Sequence, residues 1–458
     1  MADAVHTAPT GVMATATSAS DRPISRARAW GIVGVLIVAA VLSFMDRQIL
    51  SLLVTPIKRD LDINDVQIGL LQGFAFSVFY SLAAVPLGWL ADRRSRKWIV
   101  TVGVAGWSLM TAACGLAQNF LHIFLARMGV GVGEATLSAS GHSMIADLFE
   151  KRELSLAMSI YGAGVAIGAG IAYIAGGLLV EALAAAPPMN FAGQEFASWQ
   201  AVFVIVGLPG VVVAMLIAIV VKEPSRTNLQ TAADSGSSVS LGSFSRQHAG
   251  LITRFILGIS MLTAGGYANL AWLPSFFERT FDWTTAQAGV TIGLLLLLAA
   301  LPGGIVCGAI ASRWADQGIS DAPMRFMALS SAIVAPVLFV CFLLPSPFLV
   351  ILALVLPMGI GTAYVGLAPA AAQSVAPGEL RGRLAAFQLL LTSLIGMVTG
   401  PLIVGLLTEY VFQDPLRLNV ALAITIPALN VIGAAFLFSA LRPFRAALEP
   451  LATEEVSP

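Results

Sequence analysis

Apolar residues run through this chain in long blocks, without the alternation of strands or the one-sided stripe of a surface helix. A helix that crosses the hydrocarbon core of a bilayer needs roughly 20 apolar residues. Runs of that length predict spans over 29–56, 66–91, 98–117, 120–147, 153–180 and 200–221, then 251–276, 285–312, 324–344, 347–372, 384–410 and 416–440. The longest polar break is 222–250, whose middle, Thr227 to Ser245, is rich in Ser, Gly and Ala and suits a flexible linker. Residues 1–24 hold Ala, Thr and Ser with no apolar core. The first apolar block is too long for a signal-peptide core and many more follow, so no cleaved signal is expected.

The expected fold is an all-α membrane protein, with twelve transmembrane helices in two pseudo-symmetric six-helix bundles. Its parts are a disordered tail over 1–24, a bundle over 25–221, a linker over 222–250, a second bundle over 251–440 and a tail over 441–458. The halves echo each other. Gly88, Asp92 and Arg93 after the second span have a degenerate counterpart in Gly308, Arg313 and Asp316 after the eighth. Lys222-Glu223-Pro224 is matched by Leu441-Arg442-Pro443, and Gly164 and Gly168 by Gly396 and Gly400. Repeated halves with a binding site between them at mid-membrane are typical of secondary transporters.

Composition agrees: 57% of residues are hydrophobic and 11% charged, too few charges to cover a water-soluble fold. Zero net charge argues against a nucleic-acid partner. Cys114, Cys307 and Cys341 lie in separate apolar blocks and match neither metal-ligand spacing nor a disulfide framework. Lys and Arg set the orientation. Nineteen fall in the termini and the connections continuous with them, four (Lys58, Arg59, Arg279, Arg417) in the opposite set. Both termini are therefore expected in the cytoplasm, with the chain in an inner (cell) membrane.

Four charges lie inside spans: Asp46 and Arg47 in the first, Arg127 and Glu134 in the fourth. A charge at the membrane centre costs roughly 2.5–3.5 kcal/mol on insertion scales, so such residues are functional candidates. Arg127 and Glu134, seven residues apart, share a helix face, and with Asp46 are expected to face one cavity; Arg47 is turned about 100° from Asp46. One reading is a coupled site: Asp46 and Glu134 carry protons, while Arg47, Arg127 and Glu134 bind substrate. The other is a static ion-pair network joining the two helices. Arg127 is the expected partner of an anionic headgroup, because a guanidinium engages phosphate through two parallel hydrogen bonds.

The second half brings no Asp, Glu, Lys or Arg near the centres of its spans, but Tyr267, Asn269, Trp272, Met358, Tyr364 and Met397. A cavity charged on one wall and apolar on the other suits an amphiphile. Asp92, Arg93 and Asp147 sit at span ends where a charge gate or simple positive-inside decoration would both fit. No Gly-x-x-x-x-Gly-Lys-Ser/Thr, Gly-x-Ser-x-Gly or His-Glu-x-x-His signature occurs. Neither an ATP-driven pump, an enzyme nor a cofactor is expected.

The run from Gly88 to Lys97 (GWLADRRSRK) resembles the loop signature between spans 2 and 3 of the major facilitator superfamily, departing at Ser95, where that family usually has Gly. Arg127 to Glu134 (RMGVGVGE), the glycines from Gly164 to Gly177, Trp199 with Phe203, and Lys222 to Arg226 (KEPSR) resemble further features of the superfamily. Phe44-Met45-Asp46-Arg47 and Gly131 to Ala135 look like spans 1 and 4 of spinster-type transporters. The resemblance implies proton-coupled transport of a lysophospholipid or a sphingosine 1-phosphate-like lipid by a monomer, with Asp92, Arg93 and Asp147 as a cytoplasmic gate. The anion:cation symporters, which share an Asp-Arg in span 1, imply instead a small organic anion or drug.

Overall fold

The computed structural model describes residues 25–186, 189–191, 194–224, 241–376 and 380–454. Among these residues twelve helices are long and apolar enough to cross a membrane. Spans 1 to 6 are Arg26–Leu52, Asp65–Arg93, Arg96–Cys114, Phe120–Leu148, Arg152–Ala184 and Ser198–Val220. Spans 7 to 12 are Ala249–Phe281, Thr285–Asp316, Ala322–Cys341, Pro347–Ser374, Arg383–Val411 and Pro415–Leu448. Helices satisfy every backbone group within the segment, which is what hydrocarbon demands. An even number of spans puts both chain ends on one side of the membrane, here termed the terminal face; the other is the distal face.

Most boundaries fall within a few residues of expectation, and three differences are informative. The first apolar block is two helices, because the chain breaks at Leu53 before Val54–Leu61. Residues 441–454 continue the helix of span 12, which runs Leu418–Glu454, and do not form a separate tail. In the linker, Leu241–Gln247 is helical and leads into span 7; its Ser- and Gly-rich part over 225–240 lies outside the described residues, as does the tail over 1–24. A short antiparallel hairpin, Met189–Phe191 with Gln194–Phe196, joins spans 5 and 6.

The two halves repeat at a level finer than the glycines. Asp62 and Asp282, 220 residues apart, both take positive φ to end a helix. Two residues later Asn64 and Thr284 open spans 2 and 8 with capping boxes to Gln67 and Gln287. Each span then carries a five-residue π-helical turn, Leu70–Phe74 and Leu296–Ala300. The matched glycines also do equivalent work. Side chains on Gly164 and Gly168 would strike Ile37 and Val41 of span 1, and on Gly396 and Gly400 would strike Thr263 and the Ala264 carbonyl of span 7. Span 5 thus packs closely on span 1 as span 11 packs on span 7.

The halves meet on the distal face. Span 2 packs on span 11 so closely that a side chain at Gly73 would lie 2.7 Å from the Met397 carbonyl. Gly177 of span 5 faces the Thr285 backbone of span 8 in the same way. Polar contacts follow these seams. Asp65 of the first half, its side chain fully buried, accepts two hydrogen bonds from Arg279 of the second at 2.9 Å and one from Lys58 at 2.5 Å. The Asp65 amide donates to Glu409 at 3.3 Å, and Thr55 donates to Glu278 at 2.8 Å. The distal face is the closed face of this structure.

Candidate functional site

Three neighbouring residues of span 1 face three ways. Ser43 and Arg47, one turn apart, point together at span 4, where both donate to the same oxygen of Glu134: Ser43 Oγ at 2.6 Å and Arg47 Nη2 at 2.5 Å. Asp46 turns away into the first bundle, 1% exposed, with Thr111 and Trp107 of span 3 among the groups around its carboxyl. It makes no ion pair among the described residues, and its Oδ1 has no hydrogen-bond partner. Gln48 points on toward the second half.

Span 4 supplies the rest. Arg127 and Glu134 do share a face, turned toward span 1, yet Arg127 donates to the backbone carbonyl of Asp46 at 3.0 Å and not to its carboxylate. Its Nε and Nη2 have no partner, and the residue is 1% exposed. The ring of Phe76 lies between the two cations, 4.4 Å from the Arg47 guanidinium and 5.5 Å from that of Arg127. A cation over an aromatic face is worth about 2 kcal/mol when desolvated. Phe76 therefore helps hold both arginines in the protein interior, where neither has a full set of acceptors.

The structure corrects the expected cavity. Asp46 and Arg127 are enclosed within the first bundle, while Arg47, 15% exposed at its side chain, reaches the boundary between the halves. There it lines a small cavity with Gln48, Gln72, Tyr267, Leu270 and Met397, among others. The accessible cation is thus Arg47, where Arg127 was expected. Of the second-half candidates, Tyr267 and Met397 reach this cavity. Trp272 is fully buried and donates to the Pro401 carbonyl at 3.0 Å. Asn269 and Met358 are buried and Tyr364 is half-buried, its hydroxyl close to Gly266.

The charges at the terminal face resolve into a brace. Arg96, which sequence reasoning passed over, is buried and pairs with Asp147 of span 4 and with Glu223 after span 6 at 3.1 Å. Ser95, in place of the usual Gly, is extended at φ −61°; its hydroxyl donates to Glu223 at 2.6 Å, so no glycine is needed there. The second half carries the same brace with charges reversed, Asp321 before span 9 pairing with Arg445 near the end of span 12 at 3.2 Å. Asp147 is therefore tied within its own half. Asp92 and Arg93 are exposed, Arg93 stacking on Trp89 at 3.9 Å.

Glu223 lies outside the spans, and its titration follows from its contacts. Burial pushes its carboxyl up, but the Ser95 hydroxyl, the Lys97 and Arg96 amides and the Arg96 guanidinium outweigh that and hold it below the usual carboxylate range. A depressed carboxyl contributes stability above its unfolded value, and that contribution is lost as pH falls through the folded one. Glu223→Gln should accordingly lower Tm at pH 7 by on the order of one to two degrees. The gap to wild type should shrink below pH about 4.5 and close under more acid conditions. Melting curves of both proteins from pH 7 to pH 3 measure this.

The model of the Major Facilitator Superfamily matches residues 36–401. An MFS-type efflux pump of Mycolicibacterium smegmatis is 28% identical over 409 residues, covering 89% of this chain and 91% of that one. Protein spinster homolog 1 of Bos taurus is 28% identical over 463 residues, covering 90% and 80%. A probable L-galactonate transporter of Escherichia coli is 25% identical over 296 residues, covering 62% and 61%. A solved bacterial homologue of the human lysosomal transporter Spinster, inward-facing and unoccupied, superposes with a TM-score of 0.75 at 24% identity, covering 95% and 100%. The span count, the repeated halves and the matched model agree: the chain belongs to the Major Facilitator Superfamily of membrane transporters, and within it is similar to the spinster type.

Proposed function

We propose that this chain is a proton-coupled secondary transporter of an amphiphilic, anionic lipid of the lysophospholipid or sphingosine 1-phosphate kind, working as a monomer by alternating access. The observation that carries the reading is the Arg47–Glu134 pair at the boundary of the halves, facing a second half with no charge at mid-membrane. A proton on Glu134 removes the anion to which Ser43 and Arg47 donate. Arg47 stays charged, since a guanidinium does not deprotonate in proteins, and becomes available to an anionic headgroup. The acyl chain lies along the apolar half. Loss of the proton on the other face re-forms the pair and displaces the headgroup. Asp46, buried behind the pair, is the second carboxyl through which the four-charge cluster takes up a proton. The excess of Lys and Arg on the terminal face supports an orientation with that face in the cytoplasm of a bacterial cell. The distal closure then corresponds to an inward-facing state, and Asp92 with Arg93 belongs to the gate of the opposite face. One chain supplies both walls of the site, so no second copy is required.

The relatives named as an efflux pump and an L-galactonate transporter favour a second reading, a small organic anion or drug. Chain length separates the two, because each buried methylene is worth roughly 0.8 kcal/mol. In a competition assay, a long-chain lysophospholipid should bind at least about a hundredfold more tightly than a short-chain anion with the same headgroup. Equal affinities would put the small-anion reading ahead.

A further inference from the structure

Span 7 contains Pro274, which has no N–H to give to the carbonyl four residues back. That carbonyl is Leu270 O, and it lies at the boundary of the halves. Tyr173 of span 5, in the other half and fully buried, donates its hydroxyl to it at 2.8 Å. The same hydroxyl is 3.1 Å from the side-chain amide of Gln48, the residue after Arg47. The next carbonyl, Ala271 O, accepts from Gln72 of span 2 at 3.1 Å. Two successive carbonyls of one half are thus held by donors of the other, and the first lacks the N–H that residue 274 would ordinarily give it. Both residues line the cavity of about 20 Å³ that Arg47 also lines.

When the halves part on the distal face, Tyr173 withdraws from Leu270. A buried carbonyl left without a donor costs about 1–3 kcal/mol, so something else must donate to it. We propose that the Leu270 carbonyl is a headgroup subsite: an N–H or O–H donor of the headgroup alcohol, beyond the phosphate, takes the place of the Tyr173 hydroxyl, while the phosphate lies on Arg47. This rests on the lipid reading above and narrows it to phospholipids whose headgroup carries an N–H or O–H donor. Tyr173 is a positioning residue that satisfies the same carbonyl in the distal-closed state. Pro274 is what keeps the acceptor vacant.

The test compares lysophosphatidylethanolamine, whose ammonium donates, with lysophosphatidylcholine of the same acyl chain, whose quaternary ammonium does not. Wild-type protein should bind the first about tenfold more tightly. Pro274→Ala restores the helical donor and should reduce the preference, read as the ratio of the two affinities, to about twofold. Tyr173→Phe should keep the preference but lower the distal-closed population several-fold, read as a distance distribution between labels on the distal loops. Equal binding of the two lipids by wild type would overturn the subsite and leave the lipid reading standing. A preference unaltered in Pro274→Ala, or an unmoved distribution in Tyr173→Phe, would also overturn it. Failure of the wild type to bind either lipid would refute the lipid reading itself.

Discussion

Asp65→Asn is expected to lower the distal-closed population at least tenfold. Its carboxylate is fully buried and takes both Lys58 and Arg279, and of these only Arg279 belongs to the other half. An equilibrium between two states moves only through contacts that differ between them. The Lys58 contact lies within one half and survives opening, whereas the bidentate Arg279 contact does not. Breaking a buried charge pair by removing one partner costs about 3–5 kcal/mol. A tenfold shift in population needs about 1.4 kcal/mol of that. The substitution also leaves two cations facing each other across the seam. Spin labels on cysteines introduced at Gln118 and Pro345, exposed positions on distal loops of the two halves, would report the change. The three native cysteines are buried, which favours labelling at the introduced sites. An unaltered distance distribution would mean that the Asp65–Arg279 pair does not hold the distal face closed.

Glu134→Gln should mimic the protonated carboxyl permanently. Gln keeps an oxygen for Ser43 but carries no charge to hold Arg47, so the cation is free at every pH. Binding of an anionic lysolipid at neutral pH should be at least as tight as in wild type. Accumulation driven by a pH gradient should fall tenfold or more, because the pair can no longer re-form to release the headgroup. A static brace between spans 1 and 4 makes the opposite forecast. Thermal stability would drop, and the protein that remained folded would respond to the gradient as before. Measuring Tm and gradient-driven uptake on the same preparation separates the two.

Much of the fold was legible because the bilayer imposes it. Apolar block length alone located the twelve spans, and the matched glycines, read in the sequence only as an echo between halves, sit where span 5 packs on span 1 and span 11 on span 7. The pattern Asp-x-Asn-x-x-Gln at Asp62 and Asp-x-Thr-x-x-Gln at Asp282 was equally readable and would have fixed the register of the repeat. Helical phase correctly put Arg127 and Glu134 on one face. It could not tell which bundle wall that face would meet, so it promoted Arg127 over Arg47. The side chain of Arg47 bends back to Glu134 and borrows the ring of Phe76, contacts between helices that no spacing within one helix encodes. Arg96 was missed for a similar reason. Its partner Glu223 lies more than a hundred residues away, and in sequence it reads as one more positive charge beside a membrane.

In the proposed mechanism, proton movement through the buried charges of spans 1 and 4 drives an anionic amphiphile across the membrane. Uptake of a labelled lysophospholipid into proteoliposomes, with and without an imposed pH gradient, tests it most directly when the wild type is run beside Asp46→Asn. The wild type should accumulate the lipid in response to the gradient. Asp46→Asn should bind the lipid and equilibrate it but not accumulate it. Uptake by the wild type that ignores the gradient, or accumulation by Asp46→Asn equal to that of the wild type, would contradict it.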